Sequence, residues 1–320
     1  MGKHFEVDLT TTVGSLVFDN PVMTASGTAG HGIELAPYFD LASIGAVVVK
    51  SLSAEPWLGN PAPRVHETPA GMLNSVGLQG PGIEAWMSDS LPALVETGAK
   101  VVVSIWGSTV EDYAKAATML AEAPREVVAV EVNVSCPNVE DRRRMFAHSP
   151  TATEEALSAT AGCGRPRWAK LSPNVGDLVP IAQAAKRGGA QAVTLINTVM
   201  AMAIDSKTRK YRLGSGATGG GLSGAAIRPV AVRAVHDVYA ALPDLPIIGV
   251  GGVASADDAV ELMLAGASAI QVGTASFANP RACSHVLDGL SKWCHRQGVV
   301  SLREIIGSTH RGETNERRDE

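Results

Sequence analysis

A closed α/β barrel of eight parallel strands is the fold class that this 320-residue sequence predicts. Three observations carry that expectation. Short β-branched runs recur along the chain, eight in all, each followed by a Gly- or polar-rich turn. Between several of them lie helix-like stretches rich in Ala, Leu and Glu, the alternation that builds a parallel sheet. The turn after the first run, Ala25-Ser26-Gly27-Thr28-Ala29-Gly30, is a poor match to the G-x-G-x-x-G that would open a doubly wound dinucleotide fold.

The runs lie at Pro21–Ala25, Ala46–Val49, Lys100–Ser104, Val127–Val134, Arg167–Leu171, Ala192–Ile196, Pro246–Val250 and Ala269–Val272. Helices are expected at Val110–Ala123, Leu178–Arg187, Pro229–Ala241 and Ala256–Ala265. Ser108, Asp177 and Ser255 are placed to cap their starts, and Gly98, Gly188-Gly189 and Gly266 suit C-terminal stops. The long inserts Leu52–Ala99 and Asn197–Leu245 both follow strand C-termini, the catalytic face of a (β/α)8 or TIM barrel. One domain over residues 1–307 is therefore expected, with a charged, Gly-containing tail over 308–320 read as disordered.

Composition narrows the function classes. Lys plus Arg number 27 against 32 Asp plus Glu, a net charge of −5, which leaves no basic footprint for nucleic acid. No apolar run approaches the ~20 residues of a membrane span, and Met1–Glu6 carries no signal-peptide core. The four cysteines, Cys136, Cys163, Cys283 and Cys294, share no C-x-x-C spacing. No internal metal or iron–sulfur cluster is expected, and a reducing cytoplasm is the simplest compartment.

Reading the C-terminal end of each run gives Ser26, Lys50 with Ser51, Ser104, Asn133 with Cys136, Lys170, Asn197 with Thr198, Gly251 with Gly252, and Gly273 with Thr274. Any one of these is ordinary. Together they put a polar residue or a glycine at every position of one rim, which makes that rim a site. The glycines after the seventh and eighth runs sit where barrels often bind phosphate, because backbone N–H groups can approach its oxygens there. Gly219-Gly220-Gly221-Leu222-Ser223-Gly224 reads as a third glycine-rich loop. Val47-Val48-Val49-Lys50 and Trp168-Ala169-Lys170 place two ammonium groups in apolar surroundings, where a structural lysine would more often snorkel to water. Two such cations ask for an electron-rich ligand, and the N1/O2 edge of a reduced flavin is one. Cys136 ends the run Val130–Ser135, with Pro137 breaking the strand behind it and Asn133 and Asn138 as company. A free cysteine is usually a small buried hydrophobe, but this location favours catalysis. Cys283 and Cys294 share one face of an expected helix and read as packing.

At this point the residues resemble the class 1 dihydroorotate dehydrogenases, most closely the class 1B catalytic subunit. Asn133-Val134-Ser135-Cys136-Pro137-Asn138, Asn74-Ser75-Val76-Gly77-Leu78-Gln79, Leu195-Ile196-Asn197-Thr198 and Gly220-Gly221-Leu222-Ser223-Gly224 carry the resemblance. Gly251-Gly252-Val253, Ala265-Gly266-Ala267 and Val272-Gly273-Thr274 extend it, so that it runs from Asn20 to about Ser276. It implies an FMN-containing barrel that oxidises dihydroorotate to orotate in pyrimidine synthesis. Cys136 would then be the general base for the C5 proton, with hydride leaving C6 for the flavin. Lys50, Asn74, Ser75, Val76, Gly77, Leu78, Asn133, Asn197 and Thr198 would hold the substrate. FMN would touch Ser26, Lys50, Ser51, Ser104, Asn133, Lys170 and Ile196, its phosphate lying among Gly224, Gly251, Gly252, Gly273 and Thr274. The resemblance further implies a homodimer joined into a heterotetramer with a subunit carrying FAD and a [2Fe–2S] cluster, through which electrons reach NAD.

Three departures from the family pattern stand out. Ser104 and Trp106 replace an Asn and a small residue, so that a flavin contact shortens and the rim of the third strand is expected to be crowded. Gly80 replaces an Asn, and the segment before Gly220 is about two residues longer. Rival readings are a fumarate-reducing class 1A homodimer, a tRNA dihydrouridine synthase, a dihydropyrimidine dehydrogenase-like barrel and a non-catalytic flavin relay. The acidic charge balance disfavours the second and the missing cluster cysteines the third.

Overall fold

The computed structural model describes residues 6–135 and 145–312. Cys136 and the rest of 136–144 lie outside the described residues, as do 1–5 and 313–320. All eight expected runs are strands: β1 Val22–Thr24, β2 Val47–Leu52, β3 Val101–Ile105, β4 Val127–Asn133, β5 Arg167–Lys170, β6 Ala192–Leu195, β7 Ile247–Val250 and β8 Ala269–Val272. They hydrogen-bond in the order β1-β8-β7-β6-β5-β4-β3-β2, every neighbouring pair parallel. The seam between β1 and β2 closes through a parallel bridge from Met23 to Ala46. A side chain completes it. Thr24 Oγ1 accepts the Val48 N–H at 2.8 Å and donates to the Val48 carbonyl at 3.0 Å.

Alternate residues of a strand face one side, and in this ring that rule sorts the interior by height. Met23, Val48, Val102, Ala129, Trp168, Ala192, Ile248 and Ala269, one from each strand, form a single buried apolar cluster. Val13 and Phe18 of the antiparallel hairpin Thr11–Val13/Leu16–Phe18 join that cluster from below, with Phe18 edge-on to Trp168 at 6.1 Å. Two residues further along the same strands stand Ala25, Lys50, Ser104, Glu131, Lys170, Thr194, Val250 and Gln271. The interior therefore changes from apolar to largely polar within one pleat. The other strand faces pack outward against the helices in the second, larger core.

The helices start close to where the sequence placed them. Ser255 caps Ala256–Ala265 in a capping box with Asp258. The cap of Val110–Met119 is Thr109 rather than Ser108, because Thr109 supplies the box with Asp112. Asp177 precedes the cap residue Leu178, yet its carboxylate accepts the Val179 N–H at 3.0 Å. Two expectations need correcting. The glycine-rich segment before Gly224 is a strand, Gly220–Ser223, and not a loop. The ordered chain also runs past residue 307: Ser308–Arg311 forms a 3-10 turn that buries Ser308, and the His310 ring lies 3.1 Å from the Ala265 carbonyl and stacks on His236. Among the described residues, no helix is long and apolar enough to cross a membrane.

The two long inserts meet above the barrel. Val199–Ala201, Gly220–Ser223, Gly71–Asn74 and Val65–Thr68 form one four-stranded antiparallel sheet in that order. Gly221 faces Asn74 in register, and a Cβ there would collide with Thr198, so only glycine lets these segments approach.

Below the barrel's outer wall, Arg165 ties the end of helix Val110–Met119 to the start of β4. Its guanidinium donates to the carbonyls of Leu120, Ala121, Ala123, Pro124, Val127 and Cys163. Hydrogen bonds from a charged donor contribute more than neutral ones. Arg165→Met is expected to lower unfolding free energy by about 2–3 kcal/mol, read as an earlier urea midpoint with unchanged far-UV circular dichroism.

Candidate active site

A cavity of about 780 Å³ opens at the C-terminal ends of the barrel strands, under the four-stranded roof. That volume lies within the ~300–1,000 Å³ of sites that enclose a cofactor or drug-sized ligand. The strand ends bring Ser26, Lys50, Ser51, Asn133, Lys170, Ile196, Asn197, Thr198, Gly251, Gly252, Gly273 and Thr274 to its wall. The inserts add Asn74, Ser75, Val76, Gly77, Leu78 and Gly224. Every residue that the resemblance assigns to catalysis, substrate or FMN is there except two. Ser104 lies one layer back, fully buried, with its hydroxyl 2.9 Å from Ser51 Oγ. Cys136 is outside the described residues, directly after the cavity-lining Ser135.

The floor of the cavity is ionic. Glu131 is fully buried, and its Oε2 accepts from Gln271 Nε2 at 2.8 Å and Thr194 Oγ1 at 3.1 Å. Its Oε1 faces Lys170 Nζ at 3.8 Å, and that ammonium donates to Ser26 Oγ at 3.1 Å. The sequence reading found Lys170 but passed over Glu131, Thr194 and Gln271, which sit inside otherwise apolar runs. Strand parity was the available signal, since all of these share the inward face.

Amides occupy the middle of the cavity. Asn197 Nδ2 donates to Asn133 Oδ1 at 3.2 Å, and Asn133 Nδ2 donates to Ser51 Oγ at 3.3 Å. Tyr113 of helix Val110–Met119 donates its hydroxyl to the Asn133 carbonyl at 2.7 Å, holding the end of β4. Ser172 and Asn174 also line the wall and were not foreseen. Asn174 bridges two elements, donating to Ser172 Oγ and the Thr198 carbonyl and accepting the Met200 N–H at 2.8 Å. Ser172-Pro173-Asn174 after β5 echoes Cys136-Pro137-Asn138 after β4, a signal legible in the sequence.

At the opposite end the wall is backbone. Gly252 has φ +76°, and a Cβ there would lie 2.6 Å from Arg228 Cβ and 3.0 Å from its backbone N. Arg228 is turned away from the cavity end and paired with Asp258 and Glu261. The hydroxyls of Thr274 and Ser223 meet at 2.7 Å between the two glycine turns. Two buried hydroxyls of the wall, Ser75 Oγ and Ser135 Oγ, have no hydrogen-bond partner among the described residues. Buried polar atoms left so in a cavity point to a ligand.

Residues 57–64 clasp the loop that carries Asn74–Leu78. Trp57 Nε1 donates to the Gly77 carbonyl at 3.0 Å, and Asn60 Nδ2 donates to the Ser75 carbonyl at 3.1 Å. Arg64 reaches Gln79 and the Leu58 carbonyl. The clasp holds Leu78 at φ +62°, a left-handed conformation that costs a non-glycine residue roughly 1 kcal/mol or more. Trp106 does not crowd the rim of β3. It is buried under Trp57, ring centroids 5.7 Å apart and edge to face. Gly80 pairs with Trp57, and a Cβ there would meet nothing closer than 3.7 Å.

Residues 8–293 match the family model described as dihydroorotate dehydrogenase. The dihydroorotate dehydrogenase B (NAD(+)) catalytic subunit of Desulforudis audaxviator is 48% identical over 307 residues, 96% of this chain and 99% of the relative. Proteins of the same name from Pelobacter propionicus and Alkaliphilus metalliredigens are 47% and 46% identical, covering 94% and 95% of this chain and 98% and 99% of their own.

Replacing Trp57 by Phe keeps a ring on Trp106 but removes the donor to Gly77. One neutral hydrogen bond contributes about 0.5–1.5 kcal/mol. Trp57→Phe is therefore expected to speed amide hydrogen exchange over residues 75–79 by about 2- to 10-fold while leaving the barrel strands' exchange unchanged.

Proposed function

The chain belongs to the dihydroorotate dehydrogenase family, and from that membership we propose that it is the catalytic subunit of a class 1B enzyme. It oxidises dihydroorotate to orotate in pyrimidine synthesis, with FMN in the cavity and electrons passed to NAD through a partner subunit bearing FAD and a [2Fe–2S] cluster. One observation supports this reading above the others. A single cavity gathers an ammonium floor, a cluster of side-chain amides and a glycine cradle.

The residues present fit FMN. The backbone N–H groups of Gly224, Gly251, Gly252, Gly273 and Thr274 would take the phosphate, and Gly252, at φ +76° with no room for a Cβ against Arg228, has to be glycine for the wall to take this course. Ser26, Lys50, Ser51, Asn133, Lys170 and Ile196 would border the ring, with Ser104 acting through Ser51. Bound there, FMN supplies the acceptor for the hydride from substrate C6. The amides of Asn74, Asn133 and Asn197 match the N–H and C=O groups of a pyrimidine ring, and Lys50 matches its carboxylate. Ser75, Val76, Gly77, Leu78 and Thr198 would close over the substrate and exclude water. Cys136 Sγ takes the C5 proton as general base, a role in which thiolate character is what matters. The remaining thiols, Cys163, Cys283 and Cys294, are buried away from the cavity wall, and burial pushes Cys283 up to about 12 and, as the larger cause, Cys294 up to about 11.

The purified chain is expected to carry FMN and to oxidise dihydroorotate, reducing NAD only once the FAD/[2Fe–2S] subunit is added. A colourless chain that cannot be loaded with FMN would overturn the reading, and turnover with fumarate alone would reassign it to class 1A. Cys136→Ala is expected to retain flavin and bind orotate while losing turnover by about 10²–10⁴-fold, measured as tritium release from C5.

A further inference from the structure

Glu131 has no place in that mechanism, yet its surroundings are built for it. It is the anion of the barrel's inner layer, fully buried on β4, and Lys170 beside it on β5 is 5% exposed. Two donors from distant strands, Gln271 on β8 and Thr194 on β6, converge on the same carboxylate oxygen. The amide N–H and the hydroxyl fill both lone pairs of that oxygen and fix the carboxyl plane. The other oxygen has no hydrogen-bond partner among the described residues and faces Lys170 Nζ at 3.8 Å. That separation is too long for a hydrogen bond but well inside the range of strong attraction at low dielectric. It leaves the ammonium free to donate to Ser26 at 3.1 Å and toward the cavity that Lys170 lines.

We propose that Glu131 is a positioning residue for the flavin, acting only through Lys170: locked by Gln271 and Thr194, it holds the Lys170 ammonium in place and aimed into the cavity. The inference rests on the FMN reading above. A buried ammonium and a buried carboxylate are tolerated where each faces the other, so the position of one is tied to the position of its partner. The consequence at the cavity floor is a fixed cation, which favours electron-rich ligands.

The test is a double-mutant cycle on the FMN-loaded full-length chain, using Glu131→Gln, Lys170→Met and the pair. Sulfite binding, followed by flavin bleaching, and the flavin midpoint potential are the readouts, since both report the cation beside the ring independently of turnover. Glu131→Gln is expected to weaken sulfite binding at least tenfold and to lower the potential, a tenfold shift in a two-electron equilibrium being about 30 mV. Lys170→Met is expected to do the same, and the double variant to be no worse than Lys170→Met alone. A rise in potential on Glu131→Gln would mean that Lys170 keeps its place without it, and additive effects would mean that Glu131 acts through space. Either result overturns the proposal. Should Glu131→Gln fail to fold, Gln271→Leu and Thr194→Val loosen the carboxylate while leaving it in place. They are expected to shift both readouts in the same direction by less, and unmoved readouts overturn the proposal. A wild-type chain that takes up no FMN would sink the reading underneath, whereas a normal wild type with an unmoved Glu131→Gln sinks the proposal alone.

Discussion

Alternate residues of eight strands enter one closed interior, and that pleat sets the height at which the barrel stops being apolar. The lower ring is hydrocarbon, from Met23 round to Ala269, and is sealed beneath by Phe18 and Val13. One pleat higher the same strands present Lys50, Ser104, Glu131, Lys170, Thr194 and Gln271. A one-residue slip in β2, β3, β4, β6 or β8 would turn its polar residue into the helical layer and its outward Val or Ile into the cavity. The parallel register and the site are therefore one constraint, and the seam hydroxyl of Thr24 matters because it closes the ring that imposes it.

A polar layer on top of a hydrocarbon plug is costly to desolvate, and its design reflects that cost. The charged groups of the floor are arranged so that carboxylate, ammonium, amide and hydroxyl meet in complementary pairs. The roof brings the second half of the solution. Two inserts that emerge from opposite parts of the chain pair through Gly221 and Asn74 and close over the floor, making a low-dielectric chamber in which few, fixed charges count for more. Trp57 and Arg64 then hold the Asn74–Leu78 loop from outside the cavity, so its left-handed Leu78 is maintained by groups that never line the site.

The barrel was legible because its strands are local features: short β-branched runs, each ended by a polar or glycine turn. The rim was legible for the same reason, since the residue after each run is readable without knowing its neighbours. What escaped notice is non-local. The Gly220–Ser223 segment looks like a loop because its glycines serve a strand pairing 147 residues away, from Gly221 to Asn74. Glu131 is hidden in Val130-Glu131-Val132, and its meaning comes from Gln271, 140 residues on. Trp106 looked obstructive at β3 because its partner, Trp57, belongs to the preceding insert. In each case the contact that decides the segment's role lies far outside its local sequence window.

The substitution of Ser at 104 gains its sense from the direction of the hydrogen bonds above it. The Thr198 N–H donates to Asn197 Oδ1 at 2.9 Å, which fixes that amide with Nδ2 toward Asn133. Asn133 Oδ1 accepts from Asn197 and from the Ser135 N–H, which fixes its own Nδ2 toward Ser51. Neither amide can flip without setting donor against donor. Ser51 Oγ, receiving from Asn133, lies 2.9 Å from Ser104 Oγ, and either hydroxyl can donate to the other. A short hydroxyl at 104 therefore backs Ser51 from inside the barrel, and the orientation of the two amides facing the cavity is set by the backbone N–H groups of Thr198 and Ser135.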